Sequence, residues 1–190
     1  KIVFEKKWKS GIRTIEHRHE LDQHGQSFYF LVNGKKIFCK GSNYIPQDIL
    51  QSNSSNHTQI IKAAAQCHFN MLRIWGGGQY ENDDFYNACD QSGIMIWQDF
   101  MYACAMYPGD SSFLTNARIE AEQQVERLAK HACIALWCGN NENNEGWNRW
   151  GWQDNISIKN CDRIWNDYLT LFDNILPHAV DKFSNQNNYW

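Results

Sequence analysis

Residues 70–78 are Asn-Met-Leu-Arg-Ile-Trp-Gly-Gly-Gly, a short apolar run that ends in three glycines. Two similar runs follow, Ile-Met-Ile-Trp at 94–97 and Cys-Ile-Ala-Leu-Trp-Cys at 133–138. Nearly unbroken apolar runs of this length are typical of parallel strands that are covered on both faces. Because helix-like segments separate these runs, the sequence predicts an α/β fold with a parallel sheet, either doubly wound or closed into a barrel.

Helices are predicted between and after these strands, at residues 57–68, 83–91, 112–131 and 160–183. The first is predicted to be capped by Ser55 or Asn56, and the second to stop at Gly93. The third has apolar side chains at helical spacing among charged residues. A long loop is predicted to follow the fourth strand and to run through Trp152.

A different pattern precedes the strand at residue 71. Asn33-Gly34 between two apolar runs predicts a hairpin, because both residues tolerate the positive φ angles of a type I′ turn. Residues 37–40 are predicted to form the first parallel strand, and residues 41–46 a loop. Near the other end, Tyr189-Trp190 is predicted to begin a fifth strand.

The composition excludes two classes of partner. The chain has 18 Lys and Arg against 21 Asp and Glu, a net charge of -3, so no basic surplus favours nucleic acid. Apolar runs all stay short of the roughly 18 residues that span a bilayer. We therefore expect neither nucleic acid nor a membrane as a partner.

The seven cysteines are odd in number, scattered, and without a Cys-x-x-Cys pair. They are expected to be buried free thiols, which slightly favours a cytoplasmic location, although the compartment stays open. Sequons at Asn53, Asn56 and Asn155 keep a secretory route possible.

Ligand sites of parallel α/β folds lie at the carboxyl ends of the strands. Arg73 and Trp75 mark the end of the second strand, Asp99 follows the third, and Glu142 follows the fourth. Carboxylates can transfer protons and aromatic rings can pack on sugar rings, so this edge suits the hydrolysis of a sugar. Spacing alone makes Glu142 a candidate general acid and Glu145 a near rival. The competing interpretation is that an acidic residue in a polar turn after a strand is more often solvated or caps a helix.

Other catalytic motifs do not fit. Residues 76–78 are not Gly-x-Gly-x-x-Gly and lack the lysine of a phosphate-binding loop, and the chain has neither Gly-x-Ser-x-Gly nor His-Glu-x-x-His. We expect no metal and no cofactor.

Aromatic residues cluster in the loop predicted after the fourth strand. Of the nine tryptophans, Trp147, Trp150 and Trp152 lie in a polar, Asn-rich stretch. About half of the tryptophans are expected in the core. These three are instead expected to be exposed and to suit a flat, partly apolar sugar ring.

Four motifs, which follow one another along the chain in the family's order, resemble glycoside hydrolase family 2, and specifically its β-mannosidase branch. They are FLVNGKKIF (30–38) with KGSNYIP (40–46), NMLRIWGGGQYE (70–81), WQDFM (97–101) with YPGD (107–110), and ALWCGNNE (135–142). The resemblance implies that residues 23–190 are the N-terminal half of a (β/α)8 TIM barrel, with strands 1 to 4 and the start of strand 5. It implies that residues 1–22 are the last strands of an immunoglobulin-like β-sandwich domain.

The resemblance also implies roles for single residues. Glu142 matches the catalytic acid/base, Asn141 the residue that bonds the sugar 2-hydroxyl, and Arg73 the arginine that orients the nucleophile. Glu145 then becomes a loop residue. Further substrate contacts are expected from Trp75, Trp97 and Asp99.

The implied reaction is hydrolysis of terminal non-reducing β-D-mannose residues in β-mannosides or manno-oligosaccharides, by a retaining double displacement. The nucleophile is expected outside this chain, because no Glu follows Glu145. The chain alone is therefore expected to be inactive and to need the missing C-terminal half of the barrel. The alternatives are an exo-β-glucosaminidase or other β-glycosidase of the same family, and a non-catalytic sugar-binding remnant.

Overall fold

A computed structural model describes residues 3–5, 9–46, 57–186 and 188–190. The strands are β1 Ile15–Arg18, β2 Leu21–Asp22, β3 Gly25–Gln26, β4 Tyr29–Val32, β5 Lys35–Ile37, β6 Gly41–Tyr44, β7 Met71–Ile74, β8 Met95–Asp99 and β9 Ile134–Cys138. The helices are α1 His57–Gln66, α2 Asp83–Ser92, α3 Ser111–Leu128, α4 Asn143–Arg149, α5 Ile158–Leu169 and α6 Leu176–Phe183. The predicted caps Ser55 and Asn56 and the sequons at Asn53 and Asn56 lie outside the described residues.

A parallel sheet with the order β6-β7-β8-β9 forms the centre of the chain. Its strand order follows the chain order, and helices α1, α2 and α3 lie in the successive crossovers. Tyr189 forms a parallel bridge with Trp137 of β9, and the Trp190 amide donates to the Trp137 carbonyl at 2.8 Å. The predicted α/β class with a parallel sheet is thus confirmed, whereas Tyr189-Trp190 lie beside β9 through an isolated bridge, and their assignment as the start of a fifth strand stays a prediction.

Both faces of this parallel sheet are covered. Leu72 and Ile96 pack against the helices, while Met71 and Met95 face the opposite side, where Phe30 of β4 packs on them. Burial of each such side chain stabilises the fold by roughly 1.5–3 kcal/mol. This two-sided burial is the reason why β7, β8 and β9 are mostly apolar on both faces.

The first parallel strand lies later in the chain than predicted, at Gly41–Tyr44 instead of residues 37–40. The Asn33-Gly34 hairpin is confirmed, with φ angles of 50° and 75°, and it pairs β5 with β4, so that Ile37 belongs to the hairpin. Gly41 fits β6 because a Cβ at this position would collide with the carbonyl of Met71. The strand is polar, which is why its sequence resembles a loop.

The hairpin strands form a second, antiparallel sheet with β1, in which Ile15 lies opposite Val32. This antiparallel sheet joins β1, which lies before the domain boundary predicted at residue 22, to β4 and β5, which lie after it. The division into two domains stays a prediction. The Arg13 guanidinium donates to the carbonyls of Ala132 and Ile134 at 2.8 and 2.7 Å, which attaches the N-terminal segment next to β9.

The predicted helices at 57–68, 83–91 and 112–131 are confirmed as α1, α2 and α3 with small shifts at their ends. The Asn82 side chain caps α2 by accepting from the Phe85 amide, and Gly93 ends it at a φ of 68°. The Asp110 carboxylate caps α3 in the same way. None of the helices in the described parts is long and apolar enough to cross a membrane.

The predicted helix at residues 160–183 is confirmed as an unbroken helical run from Ile158 to Phe183, but the prediction missed the π-helical turn at Thr170–Ile175 between α5 and α6. Pro177 lies just after this turn, and a proline lacks the N–H and crowds the carbonyl one turn earlier. A widened turn accommodates both defects. The prediction of a loop after β9 is wrong in part, since residues 143–149 form α4.

Candidate active site

A buried ion pair lies at the carboxyl ends of β7 and β8. Arg73 donates from Nε to Asp99 Oδ1 at 3.1 Å and from Nη2 to Oδ2 at 2.7 Å. The same carboxylate accepts from Trp97 Nε1 at 3.0 Å and from the Gly76 amide at 3.0 Å. Residues 73, 97 and 99 share a face because side chains alternate along a strand.

Asp99 is 0% exposed, and its burial raises the pKa of its carboxyl, against the opposing effect of Arg73 and the other donors. Burial acts to lower the pKa of Arg73, but the hydrogen bonds and charge of Asp99 outweigh it and raise that pKa. The donors arranged around Asp99 fit a carboxylate, which only accepts hydrogen bonds. Both partners are therefore charged at neutral pH.

Asn141 connects the end of β9 to this ion pair. Its Oδ1 accepts from Arg73 Nη2 at 2.9 Å, and its backbone amide donates to the Tyr102 carbonyl at 2.9 Å. Asn141 also forms a parallel bridge with Ala103. The loops that follow β8 and β9 are thereby joined beside the Arg73–Asp99 pair.

Glu142 is the next residue and begins α4 from a left-handed backbone conformation, with a φ of 65°. The Glu142 side chain is exposed, whereas partial burial is expected of a residue that acts as an acid and then as a base. Its Oε2 accepts a hydrogen bond from the Cys104 thiol at 3.2 Å. Glu145, the rival candidate, instead forms an exposed ion pair with Arg149 along the same helix.

The glycines after β7 allow the backbone to approach this cluster closely. A Cβ on Gly76 would lie 2.7 Å from the Tyr102 carbonyl oxygen and 2.8 Å from that of Phe100. Only glycine therefore fits where the Gly76 amide reaches Asp99. Trp75, at the same edge of the sheet, is half-buried, and its ring lies against the backbone of Gly77.

Comparison with known proteins shows what the whole chain is similar to. No family model matches the chain. It is 46% identical over 175 residues to a β-mannosidase of Bos taurus, a match that covers 90% of this chain and 20% of that protein. It is 40% identical over 179 residues to β-mannosidase B of Emericella nidulans, covering 92% of this chain and 21% of that protein.

The chain is homologous to a segment of the β-mannosidases.

A solved structure supports the same relationship. The crystal structure of the β-D-mannosidase from Dictyoglomus thermophilum superposes with a TM-score of 0.85 and 39% sequence identity, over 95% of this chain and 22% of that one. The chain thus spans about a fifth of the length of the relatives it matches. The resemblance of its motifs to the β-mannosidase branch is confirmed.

The three tryptophans predicted to be exposed in this chain differ in their environments. Trp147 is only 4% exposed and lies parallel to Trp165 with ring centroids 6.2 Å apart, so its predicted exposure is wrong. It belongs to the inward face of α4, a helix that the prediction missed. Trp150 is 53% exposed, as predicted, and Trp152 is half-buried against Gly146.

The seven cysteines of the segment are free, but their burial differs from the prediction. Cys89, Cys133 and Cys138 are buried as expected, whereas Cys67 and Cys104 are exposed. The contact of Cys104 with Glu142 was missed, because nothing in the local sequence distinguishes this cysteine from the others. In the described ranges, no group of three or more His, Cys, Asp or Glu side chains is arranged to hold a metal ion.

Proposed function

We propose that this chain is a segment of a retaining glycoside hydrolase that releases terminal non-reducing β-D-mannose from β-mannosides, including manno-oligosaccharides. One observation carries the proposal. The carboxyl edge of the parallel sheet gathers Arg73, Asp99, Asn141 and Glu142 in a chain 46% identical to a β-mannosidase. Carboxylates, amides and a fixed positive charge at such an edge suit the chemistry of a sugar-binding pocket.

The parallel sheet is proposed to be strands 1 to 4, with the start of strand 5, of a (β/α)8 barrel that covers residues 23–190. The support is the strand order, which follows the chain from β6 through β9 to Tyr189 with helices in the crossovers. The only partner of β6 in the described sheet is β7, so its other edge is open for a strand from the C-terminal half. Residues 1–22 are proposed to end an immunoglobulin-like domain.

Glu142 is the proposed acid/base. In the first step its protonated carboxyl gives a proton to the glycosidic oxygen while a carboxylate outside this chain attacks the anomeric carbon. In the second step the ionised Glu142 removes a proton from the water that releases mannose. The two carboxyl groups are expected about 5–5.5 Å apart in the complete site.

The other residues of the cluster hold and shape the pocket in this proposal. Asp99, which also accepts from the Trp97 indole, fixes the Arg73 guanidinium, whose charge then orients the incoming nucleophile. Asn141 bonds the sugar 2-hydroxyl. Trp75 and Trp97 line the pocket around the sugar, whereas Asp99, predicted as a substrate contact, is fully buried and acts through Arg73 instead. Side chains held by packing and hydrogen bonds in this way lose little freedom when substrate binds.

The test is a panel of aryl glycosides given to the full-length protein that carries this segment. We expect kcat/KM for the β-D-mannoside to exceed that for the β-D-glucosaminide and β-D-glucoside by at least about 100-fold. A preference for the glucosaminide would indicate the other specificity within the family. Binding of mannose without hydrolysis of any glycoside would indicate a sugar-binding remnant.

The 190-residue chain alone is expected to show no turnover of aryl β-mannosides, because it supplies one of the two carboxylates that double displacement needs. Its open strand edges are also expected to promote self-association, measured by size-exclusion chromatography. The matched control is the same preparation with Glu142→Gln. Turnover by the pure chain that disappears in this variant would contradict the expectation.

A further inference from the structure

A directional chain of hydrogen bonds leads from the buried ion pair to Glu142. Arg73 Nη2 donates to Asn141 Oδ1 at 2.9 Å, and Asn141 Nδ2 donates to Cys104 Sγ at 3.5 Å. The Cys104 thiol then donates to Glu142 Oε2 at 3.2 Å. Each member accepts from the one before it, so the fixed charge of Arg73 determines the orientation of the amide, and the amide determines that of the thiol.

The backbone fixes Cys104 and Glu142 relative to each other. Both residues have positive φ angles, 50° and 65°, although neither is glycine. The Cys104 amide donates to the Asn141 carbonyl at 2.9 Å, and the Asn141 amide donates to the Tyr102 carbonyl at 2.9 Å. Uncommon conformations of this kind persist where surrounding contacts determine them, and they cluster at functional sites.

We infer that Cys104 is a positioning residue for Glu142. The Cys104 thiol donates a hydrogen bond to Oε2 of Glu142 and thereby keeps the transferable proton on Oε1. The inference rests on the proposed function of Glu142 as the acid/base. Cys104 exchanges no proton in the reaction. The proton leaves Oε1 for the glycosidic oxygen in the first step, and a proton from water returns to Oε1 in the second.

The chemical state of Cys104 is consistent with this role. The hydrogen bond to the Glu142 carboxylate raises the pKa of the Cys104 thiol, with a smaller contribution from burial. The thiol therefore keeps its proton at neutral pH and stays the donor. A serine hydroxyl could donate to the same oxygen, whereas an alanine methyl could not.

The test compares Cys104→Ala and Cys104→Ser in the full-length protein, with phenyl and 2,4-dinitrophenyl β-D-mannosides as substrates. Phenolate is a poor leaving group that needs the proton from Glu142, and dinitrophenolate leaves without one. Loss of one hydrogen bond to a carboxyl that becomes charged as it gives up its proton corresponds to about tenfold. We expect Cys104→Ala to lower kcat/KM about tenfold for the phenyl mannoside and under about twofold for the dinitrophenyl mannoside, and Cys104→Ser to restore most of the loss.

A second measurement needs no folded variant at position 104. Methyl methanethiosulfonate converts the thiol to a methyl disulfide and releases methanesulfinic acid, which removes the donor from the folded protein. We use a Cys67→Ala background, because Cys67 is the other cysteine of this chain that is classed as exposed. The treated protein is expected to lose phenyl mannoside activity selectively and to regain it with dithiothreitol.

Equal losses with both substrates, or no loss with the phenyl mannoside, would overturn the role of Cys104. Glu142→Gln is assayed in parallel to separate this failure from that of the proposed function. If Glu142→Gln leaves kcat/KM for the phenyl mannoside unchanged, the proposed function itself fails. If Glu142→Gln is inactive on the phenyl mannoside and Cys104→Ala keeps its kcat/KM for that substrate, only the positioning role fails.

Discussion

Replacement of Glu142 with Gln in the full-length protein is expected to lower kcat/KM for phenyl β-D-mannoside by about 10³-fold, since general acid catalysis contributes about 10²–10⁴-fold. The amide matches the carboxyl in shape but cannot give a proton to the glycosidic oxygen. The same variant is expected to react with 2,4-dinitrophenyl β-D-mannoside in a rapid burst and then turn over slowly, because its second step lacks a general base.

The matched control for Glu142 is Glu145→Gln, which changes a carboxylate on the same helix. Glu145 is exposed and paired with Arg149, away from the Arg73–Asp99 cluster. We expect this variant to keep kcat/KM within about twofold, as an exposed ion pair contributes little. A larger loss in Glu145→Gln than in Glu142→Gln would exchange the two assignments.

Replacement of Asp99 with Ala is expected to have the largest effect on stability, about 3 kcal/mol of unfolding free energy. Asp99 is 0% exposed and Arg73 is 25% exposed, so the substitution leaves a mostly buried guanidinium without its carboxylate. The Gly76 amide and the Trp97 indole lose the same acceptor. Urea denaturation followed by tryptophan fluorescence measures the change.

Asp83→Ala is the control for Asp99, because Asp83 also pairs with an arginine, Arg127, at 2.7 Å but is 51% exposed. Removal of this surface pair is expected to cost under about 1 kcal/mol. Similar losses in the two variants would show that burial does not set the contribution of the Arg73–Asp99 pair.

The cluster at the strand ends could be predicted because it depends on few physical rules. Apolar strands separated by helices imply a parallel sheet, and a parallel sheet brings all its carboxyl ends to one edge. Arg73 and Asp99 were selected on this ground and Asn141 through the family resemblance, and the structure joins the three by hydrogen bonds. Their catalytic roles came from the family resemblance and stay predictions.

Other features were not predicted, two of them because contacts distant in sequence determine them. Gly41–Tyr44 is polar and becomes a strand only through pairing with β7. The short helix α4 had a signal that was missed, since its buried residues Asn143, Gly146 and Trp147 have the spacing of one helical face. The contact of Cys104 with Glu142 joins residues 38 apart and depends on two unusual backbone conformations.

The most direct measurement of the role of Glu142 is the reaction of the Glu142→Ala full-length protein with 2,4-dinitrophenyl β-D-mannoside in the presence of azide. Azide is a small nucleophile that needs no general base, so it can attack the glycosyl-enzyme where water cannot. We predict faster turnover with azide and β-D-mannosyl azide as the product, identified by NMR. No acceleration, or an azide of the opposite anomeric configuration, would contradict the assignment of Glu142 as the acid/base of a retaining enzyme.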